Sequence, residues 1–252
     1  MANACTSNQY FSGQGALLLA SRDVTGAALG FLPVGNVSAL TLGVDTTTFE
    51  HKESCTGVRG TDLEIVQEIK VSASFTMESL SKENLALALF GSSSTVVGAP
   101  VLDEQIPLYL DKWMPLANIN VSSVVVGDDA LPTTTYVEGT DYQVNLAAGS
   151  IMALTGGAIT DGQVVFVDYT AGGHDEVEAV ETGSPPERWA RFEGLNTANS
   201  DSPVVVDFYR MSMQPLKELA MITDEISQMD VEAKVLSDAF RTTGSKFFSI
   251  KK

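Results

Sequence analysis

Only two histidines occur in the 252 residues, His51 and His174, and each lies in a polar, turn-like stretch with no second imidazole beside it. General-base and metal chemistry require a partner within hydrogen-bond or ligation reach, which neither stretch supplies. His51 precedes Cys55 by four residues, a spacing that on a helix would let the pair share a transition metal. The flanking Thr46-Thr47-Thr48-Phe49-Glu50 reads as loop or strand, so His51 is read as a solvated side chain. The other concentration of ligands is Gly172 to Glu181, where Asp175, Glu176, Glu178 and Glu181 offer the hard oxygens calcium prefers. That segment lacks the Asp-x-Asp-x-Asp-Gly order of a calcium loop and reads as a solvated acidic strand or linker, with calcium the open alternative. No Gly-x-Ser-x-Gly elbow, phosphate loop or Gly-x-Gly-x-x-Gly turn is present. The expectation is a non-enzyme without catalytic residue, metal or cofactor.

The elements that would position these residues are set in a chain carrying 15 Lys+Arg against 32 Asp+Glu, a formal charge of -17. Such a balance argues against a surface that grips nucleic acid phosphates, because that binding displaces counterions with Lys and Arg. No apolar run approaches the roughly 20 residues that span a bilayer, and Met1 to Tyr10 has no basic segment followed by an apolar one. A soluble protein made in the cytosol, with no membrane partner, is expected. Cys5 and Cys55 read as free thiols, since nothing in their spacing suggests a disulfide framework or zinc site. The charge is unevenly placed: residues 1–100 are net -4, residues 188–252 net 0, and residues 101–187 net -13 with Lys112 the single base. A shift of that kind marks an insertion. Gly91 to Pro100 reads as a small-residue linker, and Pro185-Pro186 ends regular structure on the other side. The expected domains are therefore 1–100 with 187–252, and an insert over 101–186.

The outer segments show period-two patterning, clearest where Ile69, Val71, Ala73, Phe75 and Met77 alternate with Lys70, Ser72, Ser74, Thr76 and Glu78. Similar strands are expected at 15–22, 36–44, 187–194, 203–213, 228–236 and 246–251, mostly antiparallel. Phe75 and Phe208 sit in such strands and read as core. A short amphipathic helix is expected from Ser81 as N-cap, through Glu83 in the first turn and Leu85 and Leu89 as its packing face, to Gly91 as terminator. A second helical turn is expected over 215–221, with Pro215 at its first position. Inside the insert, strands near 105–110, 119–126, 134–138, 141–146, 150–154 and 163–170 predict a small β-sandwich. Trp113 and Trp189 flank the insert and are expected to pack its joint.

With these elements in view, the outer segments resemble the major tail tube protein of long-tailed bacteriophages. The resemblance is carried by the strand Val71-Ser-Ala-Ser-Phe-Thr-Met-Glu-Ser79, the helix Ser81-Lys-Glu-Asn-Leu-Ala-Leu-Ala-Leu-Phe-Gly91, and a tail with Pro215-Leu-Lys-Glu-Leu219 before Val231-Glu-Ala-Lys-Val-Leu-Ser-Asp238. It covers roughly residues 10–92 and 187–252. What it implies is a mostly β protein with one or two short helices: a tail-tube-type β-sandwich or barrel core with an inserted small β-sandwich domain. It further implies homohexameric rings that stack into a tube in the virion tail, through which DNA passes without specific binding. Other tail proteins (tape measure, terminator, baseplate or tip) would be its partners. Pairing each open sheet edge with the next subunit would remove the edges, and head-to-tail contacts close into rings.

In that family a long connection between two early strands reaches the neighbouring ring, and residues 45–62 fill its place here. Thr47, Phe49, Glu50, His51, Lys52, Glu53 and Arg59 are the candidate inter-ring contacts. With no apolar periodicity recognised in it, this segment is expected to be a mobile loop that orders on stacking. The alternatives are an ordinary surface hairpin for the loop, and for the whole chain a surface-displayed β-sandwich adhesin binding carbohydrate or calcium, or a β-rich hydrolase.

Overall fold

The computed structural model describes residues 9–55, 57–131 and 134–252. The chain is mostly β, with several antiparallel sheets and one short helix among the described residues. It divides into two compact units, residues 1–92 with 177–252, and residues 93–176.

The first unit is built on one eight-stranded sheet. Its strands are β1 (Gly13–Ala20), β2 (Leu32–Pro33), β3 (Val37–Lys52), β4 (Thr61–Met77), β13 (Glu187–Asn196), β14 (Ser202–Met213), β15 (Met229–Val235) and β16 (Phe248–Lys251). The order is β2-β1-β13-β14-β15-β4-β3, and β14 is the junction. Along one edge β14 pairs β13 throughout; along the other, Val205–Phe208 pair β16 and Met211–Met213 pair β15. Alternation decides which face is buried: Val71, Ala73, Phe75 and Met77 on β4, and Met229, Val231, Ala233 and Val235 on β15, point into the core while the residues between them point out. Leu17 and Leu19 of β1 and Phe208, Met211 and Met213 of β14 complete it. Fully burying a side chain of this size contributes about 1.5–3 kcal/mol, so this row is the main source of stability.

The helix α1 (Lys82–Ala88) has Ser81 as N-cap, its hydroxyl accepting from the Asn84 amide at 3.3 Å. Seven residues are far too few for a helix to persist alone, so packing must hold it. The packing face differs in detail from the expected one: Leu87 and Ala88 enter the core and Leu85 packs beside it, whereas Leu89 is the half-buried C-cap. The terminator also differs. Phe90 takes the left-handed position (φ 55°), and the Gly91 amide donates back to the Ala86 carbonyl at 2.8 Å. Gly91 is required for another reason, since a Cβ there would meet the Glu178 carbonyl oxygen at 1.8 Å.

The expected helix over 215–221 does not form. Leu216 donates its amide to the Ala88 carbonyl at 2.8 Å, tying the chain to the end of α1, and Leu216 and Leu219 pack on the core from an irregular segment. A single turn cannot offset its nucleation cost when its first free amide is already used.

The second unit packs two three-stranded sheets around one core. One is β6 (Pro100–Leu108), β11 (Gln163–Thr170) and β8 (Ser122–Gly127); the other is β7 (Trp113–Pro115), β10 (Ser150–Ala153) and β9 (Tyr142–Asn145). Leu108, Val126, Val165 and Val167 from the first meet Ile151, Ala153 and Tyr142 from the second. The strand expected over 134–138 is absent; Thr135 makes only an isolated bridge to Gly127, and Pro132 and Thr133 lie outside the described residues. The joints also fall earlier than expected, at 92/93 and 176/177. The small-residue stretch after Gly91 is not a plain linker, because β5 (Ser92–Val96) pairs with β12 (His174–Glu178). Serine and threonine side chains suit a narrow, exposed two-stranded ribbon.

Candidate functional site

The largest departure from the sequence reading is at residues 45–62. Instead of a loop, β3 runs on to Lys52 and β4 begins at Thr61, making a long hairpin closed by an eight-residue turn. Cross-strand partners continue from Val44↔Val71 through Asp45↔Lys70, Thr46↔Ile69, Thr48↔Val66 and Phe49↔Ile65 to Lys52↔Thr61. The periodicity is broken by bulges at Thr47/Thr48 and His51/Lys52, which shift the apolar residues of β4 out of simple register. That is why the alternation does not stand out in sequence, although the β-branched run Thr46-Thr47-Thr48 has strong strand preference.

Among the described residues nothing in the unit covers this hairpin beyond Val71, and its length past that point is about 26 Å at 3.3 Å per residue. Both of its faces carry exposed apolar side chains. Val44, Ile69 and Val66 continue the core-facing row outwards, each about half exposed, and Phe49, Ile65 and Leu63 form a second cluster on the opposite face. Exposed apolar groups concentrated on a projecting two-stranded arm point to a binding surface, because an isolated hairpin with that composition is otherwise an aggregation hazard.

All seven candidate contacts lie on this arm. Thr47, Phe49, Glu50, His51 and Lys52 are on β3, while Glu53 and Arg59 are in the turn. His51 Nδ1 meets Asp62 Oδ1 at 2.6 Å, and Glu53 accepts from the Cys55 amide at 2.8 Å. The apolar partners Leu63, Ile65, Val66 and Ile69 come from β4 and complete the two clusters; only the cross-strand register assigns them. Cys55 is exposed at the tip and unbridged; Cys5 lies outside the described residues.

Below the arm, the solvent face of β3, β4 and β15 is unusually short-chained. Gly43, Ser72 and Lys234 form one row and Thr41, Ser74 and Glu232 the next, followed by Thr76 and Asp230. Thr41 and Ser74 hydroxyls are 2.5 Å apart, and the Thr76 hydroxyl donates to Asp230 at 2.6 Å. These contacts tie neighbouring side chains of the face to one another across the strands. Among the described residues the outer edge of β3 has no partner strand in the sheet, and across an apolar cleft of about 880 Å³ it faces β1, β13, β14 and β16, with Leu17, Leu40, Phe192, Val206 and Ile250 on the walls. The sheet therefore curls towards closure without closing.

The acidic run is spread out rather than convergent. Asp175, Glu176 and Glu178 lie along β12, Asp175 accepts from the Thr95 hydroxyl at 2.7 Å, and hydrogen bonding from Ser92 holds the Glu181 carboxyl below its ordinary range. Among the described residues no three His, Cys, Asp or Glu side chains come together as a metal site would require. Among the described residues no helix is long and apolar enough to cross a membrane. Trp189 packs edge-on between Phe31 and Tyr209 in the first unit.

No curated protein sequence matches the chain. A family profile matches residues 10–251, nearly the whole length, and the chain belongs to that family, the one described as Protein of unknown function UCP028589.

Proposed function

We propose that the protein is a structural subunit that assembles with itself into stacked rings, forming a phage tail tube through which DNA passes. The observation that carries this reading is the β3–β4 arm: a projecting hairpin with two apolar faces that the described residues of its own unit leave uncovered. A second copy supplies the cover. The free edge of β3 supports ring closure in the same way, since an unpaired edge is satisfied by strand addition from a neighbour. In the assembled tube the hydroxyl-rich face of β3, β4 and β15 lines the channel. Its hydroxyl side chains are short, and its charges balance, Asp230 and Glu232 against Lys234 and the Lys217 that pairs with Glu232, so it offers phosphate no excess of positive charge.

The test is to replace residues 48–67 with Asn-Gly, which closes the shortened hairpin in a two-residue turn. Negative-stain electron microscopy over a concentration series is expected to show rings or tubes for the wild type. The truncated chain is expected to keep its melting transition and form no tubes. Tubes of normal length from the truncated chain would overturn the reading.

A further inference from the structure

The second unit carries eleven Asp and Glu against the single base Lys112, yet one of its faces has no charge at all. In the sheet β7-β10-β9, Met114, Ile151 and Val144 point inward to the core. The residues between them point out. Trp113, Met152 and Gln143 form one row and Pro115, Ser150 and Asn145 the next. Trp113 is 47% exposed, an uncommon position for an indole on a regular strand.

We propose that this face binds a neutral oligosaccharide. An exposed indole offers an electron-rich face on which the apolar C–H side of a sugar ring can stack. Gln143 and Asn145 amides and the Ser150 hydroxyl both donate and accept, which matches sugar hydroxyls and does not match an ion. The Asn145 carbonyl oxygen already accepts from the Ala148 amide at 3.2 Å, which orients the amide and leaves its NH2 outward. Charge selects within the class: the surrounding carboxylates repel an acidic polysaccharide, and a cationic ligand finds no carboxylate on the face itself. Size selects against a protein. Three strands 4.8 Å apart give a row of about 10 Å, with the second row about 7 Å further along, an area far below the roughly 800 Å² per partner of a specific protein interface.

The proposal does not depend on tube assembly and is tested on the full chain as purified. Maltohexaose, cellohexaose and chitohexaose are titrated by calorimetry and by tryptophan emission, with a galacturonic acid oligomer as the acidic comparison. At least one neutral sugar is expected to bind saturably in the millimolar range with a shift in emission, and the acidic oligomer to give none. Trp113→Ala is expected to weaken binding about tenfold, the scale of one lost aromatic contact. Gln143→Ala, which removes no aromatic packing, keeps the test valid if Trp113→Ala is unstable and is expected to weaken binding less. Trp189→Phe is expected to leave the affinity unchanged. Absence of saturable binding to all three neutral sugars, or equal binding by both face variants and wild type, overturns the proposal. So does protection of Trp113 from an aqueous quencher in assembled tubes without sugar, which would mean that another copy covers the face.

Discussion

At the residue scale, the most consequential group is the ion-pair cluster Arg22, Glu187, Arg210 and Asp238. Arg22 and Asp238 side chains are 8% and 3% exposed, and Arg22 Nη2 lies 2.9 Å from Asp238 Oδ1 without hydrogen-bond alignment. Removing one member of a buried pair strands the other, so Arg22→Ala is expected to lower unfolding free energy by about 3 kcal/mol in a urea titration, a loss far larger than an exposed pair would give. Glu187 accepts from Nε and Nη2 of Arg210, at 2.8 and 2.6 Å, and this bonding holds its carboxyl below the ordinary range. A depressed carboxylate stabilises the fold above its unfolded pKa and ceases to do so as pH falls through the folded one. Arg210→Met is therefore expected to be less stable than wild type at neutral pH, with the gap narrowing as pH drops below about 4.5, the ordinary value for a glutamate. A gap that stays constant down to acid pH would show that Glu187 is not the linked group. Asn84 is another buried polar anchor, its side-chain amide donating to the Val34 and Ser79 carbonyls at 2.8 and 2.9 Å. Asn84→Leu leaves both acceptors unmet and is expected to cost about 1–3 kcal/mol.

At the element scale, the arm separates folding from assembly. Phe49→Asp and Ile65→Asp alter a face exposed in the single chain, so each is expected to change stability by less than about 0.5 kcal/mol while preventing tubes from lengthening. Phe75→Ala, on the buried part of the same strand β4, is expected to cost about 3–5 kcal/mol. Loss of stability in the arm variants would instead place Phe49 and Ile65 in the fold. The strands were legible in the sequence wherever one face is wholly buried, as over residues 71–77 and 229–235, because burial forces strict alternation. Legibility failed at the arm, where two bulges reset the phase, and at Leu216 and Leu219, where apolar spacing suited a helix but tertiary hydrogen bonding held the chain irregular. The charge-free face of the insert was invisible for a different reason. Trp113, Gln143 and Met152 are far apart in the chain, and only the pairing of β7, β10 and β9 brings them into one row.

At the scale of the whole molecule, the chain leaves and re-enters the first unit at neighbouring points. Val180 donates to the Leu89 carbonyl at 3.0 Å and Thr182 to that of Phe90 at 3.1 Å, so the two ends of the insert are already held together without it. Joining Ser92 to Val177 through a short glycine-serine linker is expected to leave a folded protein that still forms tubes; failure to form rings would make the second unit part of the assembly contacts. The first unit alone carries a formal charge of -7 and the insert -10, so like subunits repel. Tube formation by the whole chain is expected to quicken with added salt, and more so than for the chain without its insert, as followed by light scattering. The arm has a last consequence for such a filament. A subunit that projects a hairpin from one end and offers a receiving surface at the other is a vector, and a stack of vectors has two unlike termini. In the proposed tube one terminus would present a crown of free arms and the other only sockets, so growth at the two would proceed at different rates and a cap made for one would not fit the other. A single hairpin would thus give that assembly a front and a back.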